Sequence, residues 1–545
     1  MAKLTGGQAI VASLKRHGVD TIFGLPGIQL DNIFDALYAE QDAIKVIHTR
    51  HEQATSYMAD GYARTTGRAG VCLVVPGPGL LNATAGLSTA YACNSPVLCI
   101  SGQIQSNLIG LNRGMLHEIP NQVEMIRSVT KWAKRIDTPE DAPASVTEAF
   151  RQMFSGRPRP VEIEMAPDIM GRQADVELLD PAVIDRPAGD PDLIEQAARV
   201  LAASKNPVIC VGSGVFGATE ELLELAEILQ APVIMSSNGR GAVSSEHYLA
   251  LPMVAGRQLW ADVDAVFAVG TRLTMPLTQW GVDDDLAVIQ MDIDPEEVGR
   301  NVVPAVGIVA DAKLGLTQLV EALSRHAGKR ASRKEELTAL KKRVDDLLFE
   351  IQPQASFGEA IRAELPRDGI LINESTQVGY WSNNGFPVYK PRTLLTSGYQ
   401  GTLGYGFATA LGAQVGNPHT RVISLNGDGG FFYNVQELST AVMFNIPLVT
   451  IVFNDGAYGN VKRIQQEQYG GRTIASDLLN PDMLKLADAY GMLGLRAHTP
   501  EELRAAIQQG FKHDGPVLIE VPVGPMPNPG RVTGFQLPPV RGKRV

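Results

Sequence analysis

The 545-residue chain carries 59 acidic against 48 basic side chains, a formal net charge of −11, and this argues against a nucleic-acid partner because phosphate contacts need clustered Lys and Arg. Hydrophobic residues make up 44% and charged ones 20%, the balance of a globular protein, and no window approaches the roughly 18 uncharged apolar residues that a membrane span needs. The length predicts about three domains of roughly 150 residues each.

In chain order, MAKLTGGQAIVASLKRHG at the start reads as an amphipathic helix without the continuous apolar centre of a signal peptide. Cys72, Cys93, Cys99 and Cys210 sit in apolar runs without CxxC or Cys/His spacing, which predicts buried thiols in a reducing compartment and a cytoplasmic protein. Residues 46–49 read as a strand leading into Arg50-His51-Glu52 and a helix over 53–65; a glutamate at a helix start is by itself a dipole-favoured surface residue. Linkers are predicted at 171–190 and 326–354, the second containing a solvated charged helix. Between them, 207–323 alternates in α/β fashion, and Gly212-Ser213-Gly214 is only half of a dinucleotide turn.

Further on, 421–426 has strand character, a glycine-rich turn follows, 434–445 has helical composition, and 448–453 is a second apolar run. Each run ends in a turn bearing a carboxylate, Asp428 within Gly427-Asp428-Gly429-Gly430 and Asp455 after Asn454. In a parallel βαβ unit both turns lie at the carboxyl edge of the sheet, where ligands bind. Two anionic oxygens there suit a hard divalent cation completed by carbonyls, water and a phosphate ester. The glycines admit a diphosphate to the backbone N–H groups. Either motif alone reads as a surface turn; the pair, 27 residues apart with a crossover between, does not.

Laid against itself at an offset of 351 residues, the chain repeats. Leu87-Ser88-Thr89-Ala90 matches Leu438-Ser439-Thr440-Ala441, Asn94 matches Asn445, Pro96 matches Pro447, and six of the twelve positions from Leu87 to Leu98 are identical. Gly61 meets Gly412, and 71–75 meets 422–426, so the order of elements points to duplication of one α/β domain. The copies differ chemically, because Pro76-Gly77-Pro78-Gly79 stands opposite the Asp428 turn and has no carboxylate.

The paired turns resemble the metal and diphosphate signature of thiamine diphosphate enzymes, a GDG followed by an asparagine pair. The resemblance implies Mg²⁺ held by Asp428, Asp455 and the carbonyl of Ala457, and a diphosphate along Gly427, Gly429 and Gly430 with Gln377 assisting. Asp455 stands where the family has its second asparagine, and a register shift that makes Asn454 the ligand stays open. HTRHEQATSYMADGYAR, residues 48–64, is similar to the family segment whose glutamate hydrogen-bonds N1′ of the aminopyrimidine. Glu52 is thereby implied to stabilise the 4′-imino tautomer that takes the C2 proton and forms the ylid. SGYQGTLG, residues 397–404, resembles the segment that bends the cofactor: Leu403 would support the bend and the Gly401 carbonyl would accept from the 4′-amino group. Taken alone, Leu403 reads as core. The offset sets Glu52 opposite Leu403, flanking one cofactor.

FGLPGIQ, residues 23–29, resembles the loop that reaches the reacting carbon, with Gln29 where benzaldehyde lyase carries a histidine. His117 falls where acetolactate synthase and benzaldehyde lyase carry a glutamine and some pyruvate decarboxylases a histidine. A lone histidine is more often structural; here it is a candidate for proton transfer to an alkoxide. TKWAKR from Thr130 and GNVKRIQ from Gly459 are similar to the acetolactate synthase-like branch. Ile464 and Asn460 replace a tryptophan and a methionine of the biosynthetic enzyme, and 270–276 lacks the paired aspartates of its flavin segment, so no catalytic need for FAD is expected.

The implied fold is α/β, three doubly wound parallel-sheet domains with the first and third related by duplication. They are expected at residues 1–170 (pyrimidine-binding), 190–325 (central) and 355–530 (diphosphate- and Mg-binding). The implied activity is that of a carboligase or lyase on 2-oxo acids, aldehydes or 2-hydroxyketones, through an ylid and an enamine. A simple 2-oxo acid decarboxylase is the alternative, and a non-catalytic descendant a third, which should have lost Glu52 or the metal pair. A homodimer with the cofactor between subunits is the implied minimum and a homotetramer the common family state.

Overall fold

The computed structural model of the protein describes residues 2–530 and 537–544. It contains three six-stranded parallel sheets flanked by helices. The first has the strand order Lys45–His48, Thr21–Gly24, Gly70–Val74, Val97–Gly102, Val161–Met165, Trp132–Ile136. The third has the order Leu394–Thr396, Ile370–Asn373, Val422–Gly427, Val449–Asn454, Val517–Pro522, Leu493–Arg496. Numbered along the chain, both read second, first, third, fourth, sixth, fifth. The middle sheet is wound differently: Ala250–Pro252, Val233–Met235, Pro207–Val211, Ala265–Val269, Ala287–Asp292, Val306–Val309. The central strands are continuous apolar runs, buried along their length, because helices cover both faces of a parallel sheet.

The chain forms two compact units. One comprises residues up to Asp185 with Ser397–Arg496 and Ala506–Pro522; the other comprises Arg186–Thr396, Ala497–Ala505 and the described residues after Pro522. Within the first unit the duplication becomes physical where helix Glu52–Thr66 packs on helix Tyr405–Gly416. A Cβ on Gly61 would lie 2.0 Å from the Thr409 carbonyl oxygen, and one on Gly412 would lie 1.9 Å from that of Met58. The offset of 351 carries one contact into the other, Gly61 to Gly412 and Met58 to Thr409, so the two copies meet about a local pseudo-dyad. The helix ends repeat too: Asn94 and Asn445, each just past its helix, both lie in the left-handed region, at φ 55° and 45°. Since only a glycine allows this backbone approach, Gly412→Ala is expected to destabilise the protein by about 1–3 kcal/mol, read as a lowered thermal midpoint.

Several local expectations change. The chain opens with a strand, Ala2–Thr5, paired antiparallel with Gln173–Val176, so part of the first predicted linker is structured and the helix starts at Gly6. Thr5 and Gln8 form the capping box that sets this start. The charged helix in the second linker, Lys334–Phe349, is amphipathic rather than solvated all round, with Leu337, Leu340, Val344 and Leu348 buried. Gly212 and Gly214 serve loop packing, since a Cβ on either would fall 2.5 Å from the Gly270 oxygen or 2.7 Å from its Cα. All four cysteines are buried and none forms a disulfide. No helix among the described residues is long and apolar enough to cross a membrane.

Candidate active site

At the third sheet, strand Val422–Gly427 passes straight into a one-turn helix, Asp428–Phe431, followed by a 3-10 turn at Val435–Glu437 and helix Leu438–Met443. The predicted glycine turn is therefore helical from its aspartate. Asp428 is 1% exposed, and its Oδ2 accepts from Asn480 Nδ2 at 2.6 Å. The same Asn480 nitrogen donates to Asn454 Oδ1 at 2.9 Å, and Asn454 Nδ2 donates to Glu520 Oε1 at 2.8 Å. Asp455 follows at the end of the neighbouring strand, its Oδ1 accepting from the Ala457 N–H at 3.2 Å. Burial and then the adjacent Asp428 carboxyl push Asp455 up to about 6. Neither aspartate has an ion pair with a basic side chain among the described residues. Gly429 and Gly459 fit tightly around them, since a Cβ would meet the Tyr458 ring at 2.8 Å or Asp455 Oδ2 at 2.3 Å. Gly427 ends the strand and Gly430 is buried.

Glu52 is the first residue of its helix, and His51 caps that helix through Nδ1, which accepts from the Gln53 N–H at 3.1 Å. The half-buried Glu52 carboxylate accepts from Asn82 Nδ2 at 3.0 Å. Among the described residues no hydrogen bond joins Glu52 to Asp428 or Asp455 within the chain. Leu403 is half-buried rather than core, in the loop before Tyr405–Gly416, and Gly401 is exposed with φ 59°. Gln377 begins helix Gln377–Gly385 in the other unit, its Oε1 buried and without a hydrogen-bond partner among the described residues.

The two substrate-side candidates, 88 residues apart in sequence, meet: His117 Nδ1 lies 3.1 Å from Gln29 Oε1. Gln29 Nε2 donates to the Leu116 carbonyl at 3.1 Å, which fixes the orientation of the amide. Its oxygen can only accept, so Nδ1 of His117 carries the proton and Nε2 is left for chemistry. His117 itself sits at φ 68°, a region a histidine occupies at a cost. Gly77, with φ 60°, leaves room for it, as a Cβ there would lie 2.3 Å from the His117 carbonyl oxygen. Gln122, buried, accepts from the Gly77 N–H at 3.0 Å and donates to Glu164 Oε2 at 2.8 Å.

Three family descriptions match the chain: the thiamine pyrophosphate enzyme N-terminal TPP-binding domain over 4–125, the central domain over 194–319, and the C-terminal TPP-binding domain over 374–521. The chain belongs to the thiamine pyrophosphate enzyme family. It lies in the acetolactate synthase-like branch. A probable acetolactate synthase large subunit of Methanocaldococcus jannaschii is 35% identical across 98% of this chain and 95% of its own. Acetolactate synthase isozyme 3 large subunit of Escherichia coli is 32% identical across 94% and 93%. A probable 2-ketoarginine decarboxylase of Pseudomonas aeruginosa is 34% identical across 95% and 94%. As a thiamine diphosphate-dependent enzyme, the protein makes or breaks carbon–carbon bonds.

Sequence reading missed Asn480, Asn82, Gln122 and Glu437 in this enzyme. Asn480 lies in irregular chain without a motif, and nothing local marks it. Glu437 did leave a signal: it stands opposite Gly86 in the repeat, immediately before the matching Leu-Ser-Thr-Ala.

Proposed function

We propose that the protein is a Mg²⁺-dependent carboligase or lyase using thiamine diphosphate on 2-oxo acids, aldehydes or 2-hydroxyketones, in the cytoplasm, as a homodimer at least and as a homotetramer in full assembly. The observation that carries this is the carboxyl pair of buried Asp428 and half-buried Asp455 at the ends of adjacent parallel strands, with no basic partner among the described residues. Such a donor set is matched by a hard dication. Asp428, Asp455 and the Ala457 carbonyl would hold Mg²⁺, and Gly427, Gly429 and Gly430 the diphosphate. Asn454 is the poorer ligand, because both ends of its amide are already engaged.

Bound there, thiamine diphosphate would supply an electron sink for carbanion chemistry. The remaining work belongs to the chain. Glu52 holds a proton at N1′ of the aminopyrimidine, and Asn82 steadies its carboxyl. Leu403 and the Gly401 carbonyl orient the pyrimidine end. His117 exchanges a proton through Nε2 with the substrate oxygen, while Gln29 holds the ring in the required tautomer. His117→Ala is expected to lower kcat by about 100-fold with cofactor affinity unchanged, as measured by steady-state kinetics and calorimetry.

Offering pyruvate, benzoylformate, glyoxylate and benzoin with thiamine diphosphate and Mg²⁺, and identifying products by mass spectrometry, tests the reading. Coupled or cleaved hydroxyketones support it; aldehyde alone from a 2-oxo acid favours simple decarboxylation. That second reading is supported by the decarboxylase relative, as similar to this chain as the synthases.

A further inference from the structure

Glu437 is the residue the proposed chemistry leaves unused. It is fully buried, 0% exposed, and lies nine positions beyond Asp428 in the third-sheet domain. Its carboxylate leaves that domain and closes on the loop that delivers Glu52. Oε1 accepts from the Arg50 and His51 N–H groups, each at 3.1 Å, and Oε2 accepts from the Arg50 N–H at 3.0 Å and from Thr440 Oγ1 at 2.6 Å. Around it, Arg50 Nε donates to Ser439 Oγ at 3.0 Å, and His48 packs edge-on against Phe444 with centroids 5.3 Å apart.

Arg50 and His51 are the two residues immediately before Glu52, and their N–H groups precede the first turn of a helix, so no carbonyl within the helix can satisfy them. Burial drives the Glu437 carboxyl above its usual range, against the pull of the backbone donors. A buried acid is costly unless its oxygens are hydrogen-bonded, and three of the bonds that hold this one come from the Arg50 and His51 N–H groups. At the equivalent place in the first copy stands Gly86, where a Cβ would lie 2.2 Å from Ser56 Oγ; the repeat gives that position no such reach. We infer that Glu437 is a positioning residue for Glu52, clamping the backbone of residues 50 and 51 so that the Glu52 carboxyl meets N1′ at a fixed distance. The inference depends on the proposed role of Glu52. It adds that each chain's metal-bearing domain sets the geometry of its own catalytic acid.

The test compares two variants. Glu437→Met fills the space without an acceptor, whereas Glu437→Gln restores an oxygen for the two N–H groups and lets Thr440 turn its hydroxyl to accept. The readouts are amide hydrogen exchange over residues 48–53 in the cofactor-free protein, and deuterium exchange at C2 of bound thiamine diphosphate followed by NMR. Glu437→Met is expected to deprotect the Arg50 and His51 amides and slow C2 exchange by about 10- to 100-fold, with diphosphate affinity within about 3-fold of wild type because that end of the cofactor is untouched. Glu437→Gln should recover most of the C2 rate. The inference is overturned if Glu437→Met folds and exchanges C2 at the wild-type rate, or if Glu437→Gln is as slow as Glu437→Met, which would make charge rather than placement the contribution. Should Glu437→Met not fold, Glu437→Asp, whose shorter stem withdraws the acceptor, takes its place with the same expectations. Glu52→Gln runs alongside: wild-type C2 exchange in that variant would sink the role of Glu52 itself, while amide protection at 50 and 51 still reports whether Glu437 holds the backbone.

Discussion

Glu52→Gln is expected to slow turnover by about 100- to 10,000-fold, the range lost when a positioned acid–base group can no longer carry its proton. The fold should survive. Glu52 is half-buried at the first position of a capped 15-residue helix, and a glutamine oxygen can still accept from Asn82. Losing a negative charge at the helix start costs about 0.3–1 kcal/mol, too little to unfold a domain whose core lies elsewhere. Cofactor binding should change little, because the diphosphate end supplies the anchoring. Steady-state kinetics beside calorimetric titration separates the effects: a large fall in kcat with similar affinity is the expected pair, and unchanged turnover would remove Glu52 from the mechanism.

The legible part of this protein was periodic or repeated. Continuous apolar runs marked the central strands because both faces of a parallel sheet are covered, and self-comparison identified two sister domains whose strand orders prove the same. Placement was legible where a turn fixes it, as for Asp428 and Asp455 at the ends of adjacent parallel strands. Tertiary pairing was not legible. Nothing in the spacing of Gln29 and His117 says that they hydrogen-bond, since a loop after one strand and a left-handed residue after another meet only once the sheet is ordered. The helical start at Asp428 was missed because glycines read as turn formers, although the backbone here lies in ordinary helical space. The solvated helix at 334–349 was misread because its charges outnumber its leucines, whereas burial follows one stripe of four.

Asp428→Asn should move stability in opposite directions with and without ligand. In the cofactor-free protein half-buried Asp455 stands beside buried Asp428 and is held up to about 6 by burial and by that neighbour. Neutralising one relieves that repulsion, so the cofactor-free variant should melt no lower than wild type. Asparagine keeps an oxygen, but Asn480 then faces an amide in place of a carboxylate and the proposed cation would lose a charged ligand. Even changes outside the first ligand shell cost metal sites about 10- to 100-fold in affinity, and loss of a charged ligand should cost at least that. At fixed ligand concentration the stabilisation by bound cofactor and metal falls accordingly, by about 1.4 kcal/mol for each tenfold loss of affinity when the wild type is saturated. Thermal scans with and without thiamine diphosphate and Mg²⁺, and titrations with Mg²⁺ removed by chelation, read both arms. A variant that loses stability equally in both states would make Asp428 a structural acid, and wild-type cofactor binding that ignores Mg²⁺ removal would end its assignment as a ligand.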